Sequence, residues 1–495
     1  MLGIQKRLSN TFLVLLTLPA TAMGFALSVQ ISVLSWILTT EYGLHIHEIG
    51  LVWAAGPLAG IIGQLLVGVV SDKVWLWNGR RRPFIIIGGT LAALMILALP
   101  YIGVISRHLG LEAIIGVAIV VALALDLSIN VSFNPARSII TDVTPEGVAR
   151  TRGYTWMQTV SGSFGVLAYA IGAVFGNMAL IYVAAVLVLL FSLVPALLIA
   201  EPRVLPGATD AVSPSSPERG PGLSRLLMML QPLWAFLVYD LVAMGLKVTG
   251  ITPPGMVLEF ACLAATALLF WKTLARRSHG PDHAGDDLVN FRKVLAANSL
   301  SWIGVQTMFV YMIAFVQQRF PELGAEASGK MLSTSFLALS AVAALLPALV
   351  LLPLSNRFGV VRVHTICLAT MAAGYAGVYL FAHSPTSLYA LMAFNGIGWA
   401  AVVSLTFAIM SQSVDPSRIG LYMGVFNLSI VLPQLVVSLG IGSVIARAAD
   451  KGVIFLVCGV SLALSAIAWR SVSVDDASVA PAAVTEPSGA APRHH

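Results

Sequence analysis

Long runs of apolar residues recur along almost the whole chain and are separated by short polar segments. A helix that crosses the ~30 Å hydrocarbon core of a bilayer needs about 20 mostly apolar residues, which is the length of these runs. The pattern predicts fourteen membrane-spanning helices and an all-α integral membrane protein. The predicted spans are residues 12–38, 48–71, 83–106, 112–136, 153–176, 179–199, 226–246, 256–274, 293–316, 331–354, 361–382, 386–411, 421–446 and 453–470.

Two polar stretches divide this series of spans. Residues 201–225 are rich in Pro, Ser and Gly, which is typical of a linker, and residues 275–292 hold several Arg and Asp residues. The chain is therefore predicted to have an N-terminal six-helix half and a C-terminal six-helix half, with a transmembrane hairpin inserted between them. The predicted parts are the first half at 1–200, the linker and hairpin at 201–292 (helices 226–246 and 256–274), the second half at 293–470 and a disordered tail at 471–495.

The composition agrees with a membrane protein and excludes several functions. The 495 residues are 58% apolar and only 10% charged, with a mean hydropathy of +0.89, whereas soluble domains carry about 25% charged residues. This excludes a soluble enzyme and a nucleic-acid-binding protein. The three cysteines lie far apart in apolar runs, so neither a disulfide framework nor a metal site is predicted. The sequence has no ATP-binding loop and no metalloprotease motif, so we expect neither catalysis nor a cofactor.

The basic residues predict the orientation of the chain. Cytoplasmic loops of membrane proteins hold most of the Lys and Arg residues. With a cytoplasmic N-terminus, 22 of the 28 basic residues fall on the cytoplasmic side and 6 on the outer side. We therefore expect both termini in the cytoplasm and the chain in the inner membrane of a cell.

A weak repeat relates the two halves. Ser71-Asp72 and then Gly79-Arg80-Arg81-Arg82-Pro83 stand between the second and third spans, and Ser355-Asn356-Arg357-Phe358-Gly359 occupies the matching place in the second half. Two six-helix halves related by an axis along the membrane normal are the plan of major facilitator transporters. We expect the charged loop to pair with the opposite half and so to hold one access state; orientation by its positive charge is an alternative role compatible with the first. Its residues are Asp72, Gly79, Arg80, Arg81 and Arg82.

One acidic residue stands out because it lies near the centre of a predicted span. Asp126 is about fourteen residues into the fourth span, where an ionised carboxylate costs at least ~2.5–3.5 kcal/mol. Asn130 follows at i+4 and Arg137 at i+11, so the three side chains share one helix face. We expect this stripe to line a polar cavity in which Asp126 binds and releases a proton or contacts substrate. The alternative for Asp126 is a structural role, with its carboxylate paired across the bundle. The alternative for Arg137 is that it anchors the end of the helix at the membrane interface.

Other polar and aromatic residues in the spans are candidates for substrate binding. Amides offer both a donor and an acceptor, and aromatic faces pack on the C–H surfaces of sugars, so both suit a neutral, hydroxyl-rich cargo. Each of them could instead serve helix packing. The candidates are Gln64, Gln158, Trp302, Gln306, Asn395, Trp399 and Gln434.

Two further acids lie in the inserted hairpin. Asp240 and Glu259 are unexpected in lipid. The two acids could pair with each other, pair with Lys247, or lie in a shallow, hydrated region. The sequence assigns Asp240 and Glu259 no role.

Several motifs stand out in the two halves of the chain. They are Gly24-Phe25-Ala26-Leu27, Gly56-Pro57-Leu58-Ala59-Gly60 with Gln64, Ser71-Asp72, Gly79-Arg80-Arg81-Arg82-Pro83-Phe84, Leu125-Asp126, Asn130, Pro135-Ala136-Arg137, Asp142, and Gly424-Val425-Phe426-Asn427-Leu428-Ser429-Ile430-Val431-Leu432-Pro433-Gln434. Together they resemble the sucrose transporter family, which belongs to the glycoside-proton symporters of the major facilitator superfamily. The resemblance implies that Asp126 accepts the proton and contacts the sugar, and that Arg137 is required for coupling.

The chain also departs from this family. Its members usually have twelve helices, so the resemblance does not account for the inserted pair. Plant members carry Phe-Asp-Thr-Asp in the seventh helix, where this chain has Gln306-Thr307-Met308-Phe309-Val310-Tyr311 and no acid. We expect Gln306 to replace part of that polar contact, and the identity of the sugar stays open.

The resemblance and the central acid together predict a proton-coupled symporter. The expected cargo is a neutral disaccharide glucoside such as sucrose or maltose, carried by a monomer in the lipid bilayer and driven by the proton gradient. Two alternatives stay open. Fourteen spans also resemble a group of proton-driven exporters of amphipathic compounds, although Gly162 and Gly165 in span five lack the Gly-Pro pair typical of exporters. The other alternative is a membrane sensor that binds sugar without moving it.

Overall fold

The computed structural model is helical throughout the part of the chain that it describes. The described residues are 5, 7–61, 63, 74–110, 114–145, 147–202, 223–251, 255–276, 286–414 and 419–473. Within them a helix corresponds to each of the fourteen predicted spans. The helices are α1 Asn10–Thr40, α2 Ile46–Ile61, α3 Arg82–His108, α4 Ile114–Val143, α5 Val148–Phe175, α6 Asn177–Leu198, α7 Trp234–Thr249, α8 Val257–Leu274, α9 Asp286–Arg319, α10 Ala325–Phe358, α11 Val360–Phe381, α12 Pro385–Gln412, α13 Leu421–Arg447 and α14 Val453–Trp469.

The span count is approximate, although the all-α membrane fold is confirmed. Eleven of the described helices are long and apolar enough to cross a membrane. The other three are shorter: α2 is described only as far as Ile61 and at residue 63, α14 has 17 residues, and α7 has 16 residues that include Asp240 and Lys247. The helix α9 begins at Asp286, before the predicted start at residue 293, because a helix that leaves the apolar layer keeps its internal hydrogen bonds.

The helices form two six-helix halves, α1–α6 and α9–α14, whose facing surfaces meet mainly through α5 with α10, α1 with α9 and α10, and α2 with α13. We name the two ends of the bundle after the first helix: the Asn10 end and the Thr40 end. The predicted boundaries at residues 200, 292 and 470 stay predictions, and most of the linker and nearly all of the tail lie outside the described residues.

At the Thr40 end the halves are joined by direct hydrogen bonds. Ser35 Oγ donates to the carbonyl of Val310 at 2.7 Å, and Trp36 Nε1 donates to the carbonyl of Ala325 at 2.7 Å. A third contact is a serine pair, Ser32 with Ser333, whose α10 member also donates to Asn177 Oδ1. Every hydrogen bond between the halves in which both partners are described residues lies at this end. The bundle is therefore closed at its Thr40 end.

Two helices of the second half that contact the first half depart from regular α geometry. The helix α13 holds Pro433 and continues as a π-helical turn at Val437–Ile441, and α10 has a π-helical turn at Pro347–Leu351. Proline removes a backbone donor, and π turns often occur at functional sites. Gln434 follows Pro433 directly, so the irregular part of α13 lies beside a polar side chain of the facing surface.

The inserted hairpin sits against the seam between the halves. Its helix α7 contributes Tyr239 and Ala243 to a small apolar cluster with Ala54 of α2 and with Val431 and Leu435 of α13. Because α2 and α13 belong to opposite halves, one side of α7 contacts both halves.

Candidate central cavity

A cavity of about 300 Å³ lies between the two halves at the middle of the bundle. The first half lines it with α1, α2 and α4, and the second half lines it with α9, α12 and α13. Its polar and aromatic lining is formed by Gln30, Trp53, Asp126, Asn130, Trp302, Gln306, Phe309, Trp399, Asn427 and Gln434.

Asp126 is the acidic residue of this lining and is only 6% exposed. Its Oδ2 accepts a hydrogen bond from Gln30 Nε2 at 2.9 Å. A Cβ at Gly56 would lie 3.2 Å from the same oxygen, so the glycine of α2 allows the carboxylate to approach the backbone. Among the described residues no Lys or Arg forms an ion pair with Asp126. The carboxyl group thus has a neutral partner, which excludes a structural ion pair within the described part of the chain.

The stripe predicted on α4 faces the inter-half space along its length. Asn130 lines the same cavity as Asp126 and donates from Nδ2 to the Asp126 carbonyl at 2.8 Å. Arg137 lines an adjoining cavity of about 350 Å³, which lies closer to the Asn10 end and shares Trp399 with the first. The Arg137 guanidinium lies 3.9 Å from the centroid of the Phe133 ring. Asp126 and Arg137 are therefore consecutive along one path without contacting each other.

The second half contributes an aromatic and amide wall. Trp302 and Trp399 pack edge to face with ring centroids 6.2 Å apart, and Phe309 packs edge to face on Trp399 at 5.5 Å. Neither tryptophan N–H donates to a described residue. Gln434 Nε2 donates to Gln306 Oε1 at 3.1 Å, which leaves the remaining amide atoms of this pair facing the cavity. The wall offers ring faces and several neutral donors and acceptors.

The other predicted candidates are distributed differently. Gln158 lines the adjoining cavity with Arg137. Asn395 is fully buried, donates to the Leu391 carbonyl at 2.9 Å and packs against Gly374 of α11, so the structure places it inside the second half and away from both cavities. Gln64 and Asp72 lie outside the described residues.

Sequence reasoning missed two amides of the cavity, Gln30 and Asn427, and the rings of Trp53 and Phe309. Gln30 is an amide in an otherwise apolar stretch of α1, and that interruption of the apolar run was the available signal. Asn427 lies inside the motif of the penultimate helix but received no role. In both cases a single amide in a span could equally serve helix packing.

The loop before α3 binds carboxylates of its own half. Trp77 and Asn78 form a two-residue turn, with positive φ at both and a bridge between Leu76 and Gly79. After the turn, the backbone N–H groups of Arg80, Arg81 and Arg82 all donate to the Glu201 carboxylate at 2.7–2.8 Å.

The described contacts of the arginine side chains of this loop also lie within the first half. Arg81 Nε donates to Asp142 Oδ2 at 3.0 Å, Arg80 lies 3.6 Å from the same oxygen, and Arg82 donates to the Ile199 carbonyl at 2.6 Å. These described contacts are local, because Asp142 and the chain end of α6 lie beside the loop at the Asn10 end. Asp72 lies outside the described residues, so pairing of this loop with the opposite half stays a prediction.

A family model of the Major Facilitator Superfamily matches residues 16–320 and 294–494, which together cover most of the sequence. The chain belongs to the Major Facilitator Superfamily. Its members are membrane transporters rather than enzymes, in agreement with the sequence-based expectation, and the chain is a multi-pass membrane protein.

Individual major facilitator proteins are similar to parts of the chain. The sucrose transport protein SUC4 of Arabidopsis thaliana is 29% identical over 178 residues, 34% of this chain and 34% of its own length. The sucrose transport protein SUT5 of Oryza sativa subsp. indica is 33% identical over 105 residues, 21% of this chain and 19% of its own. The general alpha-glucoside permease of Schizosaccharomyces pombe is 25% identical over 174 residues, 32% and 31% of the two chains. The chain thus aligns with about a third or less of each of these relatives.

Solved major facilitator structures agree in fold over nearly the full length. The POT family transporter PepTSo superposes with a TM-score of 0.64 at 13% identity, covering 93% of this chain and 97% of its own. The inward-open xylose transporter XylE from E. coli gives a TM-score of 0.58 at 15% identity, covering 94% and 96%. At these identities the likeness establishes the fold alone.

Proposed function

We propose that the protein carries a neutral disaccharide glucoside into the cell together with a proton. The observation that carries the proposal is Asp126, a carboxyl group buried in the inter-half cavity and hydrogen-bonded to the neutral amide of Gln30. A partner of this kind tolerates both the protonated and the ionised acid, whereas a fixed Lys or Arg partner would hold it ionised. Asp126 is therefore suited to loading and releasing a proton.

The cargo assignment follows from the opposite wall of the cavity. Trp302 and Trp399 offer ring faces and free indole N–H donors, and Gln306 and Gln434 offer amides. Ring faces pack on the C–H surface of a pyranose and amides bond its hydroxyls. A cavity of about 300 Å³ with an adjoining one of about 350 Å³ is in the usual range for small-molecule sites. The similarity to sucrose transport proteins and an alpha-glucoside permease supports the same class.

Alternating access supplies the transport step. The Thr40 end is closed by the hydrogen bonds of Ser35 and Trp36, and the Arg137 cavity extends from the centre towards the Asn10 end. With the orientation that the basic residues predict, the Asn10 end faces the cytoplasm of an inner membrane, so this conformation faces inward. Breaking the Thr40-end contacts and closing the Asn10 end would expose Asp126 to the outside. Both walls of the cavity come from one chain, which supports a monomeric carrier.

The driving force is sufficient for accumulation. At ~100 mV one inward proton supplies about 2.3 kcal/mol, which corresponds to roughly fifty-fold accumulation of a neutral cargo at one proton per sugar. In this scheme Arg137 lies on the path between Asp126 and the cytoplasm. Its guanidinium stabilises the ionised carboxylate electrostatically when the proton leaves.

Uptake of a panel of labelled sugars into proteoliposomes tests the proposal. We expect sucrose or maltose to accumulate under an imposed inward proton gradient, and a proton uncoupler to reduce the accumulation to equilibration. Counterflow of labelled disaccharide should persist without the gradient.

The same measurements separate the alternatives. A sensor gives no counterflow, and an exporter of amphipathic compounds gives gradient-driven efflux that sugars do not inhibit. Either result would overturn the symport proposal.

A further inference from the structure

A second pair of concavities lies on the outer surface of the C-terminal half, away from the central cavity. One groove of about 600 Å³ runs between α11 and α14, and a second one of about 590 Å³ continues from it at the Asn10 end. The two share Thr365, Ile366 and Arg470. Together they form one continuous depression, which we call the α11–α14 groove.

The sequence builds this groove from two matching helical stripes. On α11, Arg362, Ile366, Ala369 and Ala373 follow one another at helical spacing on the exposed face. On α14, a corresponding stripe runs back from Arg470 through Ile467 and Ala463 to Leu456. Small side chains form the floor and larger apolar ones form the rims. Each stripe ends at an arginine, and both arginines lie at the same end of the bundle.

The floor is as deep as backbone contact allows. A Cβ at Gly459 of α14 would lie 3.2 Å from the Ala372 carbonyl of α11, so the two helices meet nearly backbone to backbone beneath the groove. The apolar part extends from Ile467 to Phe455, about 18 Å at 1.5 Å per residue. One leaflet of a ~30 Å hydrocarbon core is about 15 Å deep. The groove therefore matches the depth of a single leaflet.

Within the described part of the chain, no acidic residue balances the charged end of the groove. Arg362 and Arg470 are exposed, and neither forms an ion pair or a side-chain hydrogen bond with any described residue. No Asp or Glu belongs to the described lining of either concavity. Two guanidinium groups at the membrane surface form a site for a phosphate, which accepts paired N–H donors. Basic pockets between membrane helices bind anionic lipid headgroups in the same way.

We infer that the α11–α14 groove binds an anionic phospholipid, with its phosphate on Arg362 and Arg470 and one acyl chain along the alanine floor. The bilayer supplies such a lipid with its headgroup at the level of the two arginines and its acyl chains at the level of the apolar floor. The charge at one end and the leaflet-deep apolar channel at the other fit a lipid better than a soluble anion, because a soluble anion would use the arginines alone. The inference is independent of the proposed transport activity.

Native mass spectrometry of the purified full chain, with added phosphatidylglycerol or phosphatidylcholine, tests the inference. We expect phosphatidylglycerol to be retained at least ten-fold more strongly than phosphatidylcholine. The double substitution Arg362→Gln and Arg470→Gln should remove most of this preference. The matched control is Arg107→Gln with Arg447→Gln, which removes the same charge from helix ends outside the groove and should leave it unchanged.

A second substitution tests the apolar channel separately. Ala373→Phe should fill the floor and weaken phosphatidylglycerol binding although both arginines are present, whereas Ala264→Phe on the exposed surface of α8 should not. Inorganic phosphate at millimolar concentration should fail to displace the lipid. Equal binding of the two lipids, loss of binding only through the arginines, or displacement by phosphate would each overturn the lipid assignment.

The residues that follow Ser473 supply a competing occupant. Asp475 and Asp476 follow Ser473 closely in the sequence, and carboxylates compete with phosphate for guanidinium groups. If the chain itself occupied the site, Asp475→Asn with Asp476→Asn would strengthen lipid binding several-fold. The inference expects no change, and a several-fold increase would contradict it.

Discussion

Two buried aspartates in this chain have nearly the same exposure but different surroundings. Asp126 is 6% exposed and Asp240 is 5% exposed. Asp126 lines the inter-half cavity and accepts a hydrogen bond from Gln30. Neither carboxylate oxygen of Asp240 has a hydrogen-bond partner among the described residues, and the residue lies on the inserted hairpin outside the described cavities. Burial alone thus does not identify a coupling acid, whereas a cavity and a neutral partner do.

Neither pairing that the sequence left open for Asp240 is formed among the described residues. Glu259 has one buried oxygen without a partner, and neither acid forms an ion pair with the other or with Lys247 among the described residues. The neighbouring Tyr239 packs against Gly440 in the π-helical turn of α13. A buried carboxyl group without a described partner carries a free-energy cost that no hydrogen bond offsets.

A substitution at Asp126 tests this comparison most directly and has the largest expected effect. Asp126→Asn keeps the size of the side chain and its bond with Gln30 but removes the exchangeable proton. We expect gradient-driven accumulation of sugar to fall from tens-fold to simple equilibration, while counterflow is partly retained. Labelled-sugar uptake into proteoliposomes measures both. Undiminished uphill uptake by this variant would show that the proton binds elsewhere.

A substitution at Gln30 tests the role of the neutral partner of Asp126, with a smaller expected effect. Gln30→Leu removes the donor that stabilises the ionised carboxylate, and a hydrogen bond to a charged group contributes about 1.5–3 kcal/mol. We expect gradient-driven uptake to slow about ten-fold, because proton release from Asp126 becomes harder, while counterflow changes less. Gln318→Leu is the control, since this amide bonds the chain at the Thr40 end instead. Equal loss of driven uptake and counterflow would indicate a folding or binding defect.

Asp240 should give the smallest change in transport and a change of opposite sign in stability. Asp240→Leu replaces a carboxyl group without a partner by an apolar side chain, which relieves a cost of about 1–3 kcal/mol. We expect a thermal midpoint in detergent that is higher by roughly 1–3 °C and uptake within two-fold of the parent. Glu326→Leu, an exposed acid paired with Lys330, should not raise the midpoint. Loss of accumulation in Asp240→Leu would make the hairpin part of the coupling machinery.

The period of the helix made the candidate face predictable. Asp126, Asn130 and Arg137 could be placed on one side of α4 from spacing alone, because 3.6 residues per turn leaves little freedom within a single helix. The positions of the helices along the chain were predictable from the lengths of the apolar runs, because run length is also a local property of the sequence. The superfamily was also recognisable from sequence, because its motifs combine a loop and helix start, residues 79–83, with polar residues inside spans such as Asp126, and residue type is restricted at both kinds of place.

Contacts between helices were not predictable in the same way. Asn395 and Gln306 are both amides in apolar spans, yet one is enclosed between α11 and α12 and the other faces the cavity. In a bundle that is apolar on most sides, the sequence pattern does not tell which face of a helix meets its neighbours and which meets the central space. The pairing of Arg81 with Asp142 depends equally on tertiary placement, because the two residues are far apart in the chain.

The carboxylate of Glu201 has a mechanical consequence. Three backbone N–H groups at the start of α3 bind Glu201, Arg82 binds the carbonyl of Ile199, and Gln5 exchanges two hydrogen bonds with Ala200. The chain is clamped at these three residues just before it leaves the first half for the inserted hairpin. A force transmitted through the connection would act on these hydrogen bonds before it reached α6. The first half can therefore move as a rigid unit while the end of α6 stays folded.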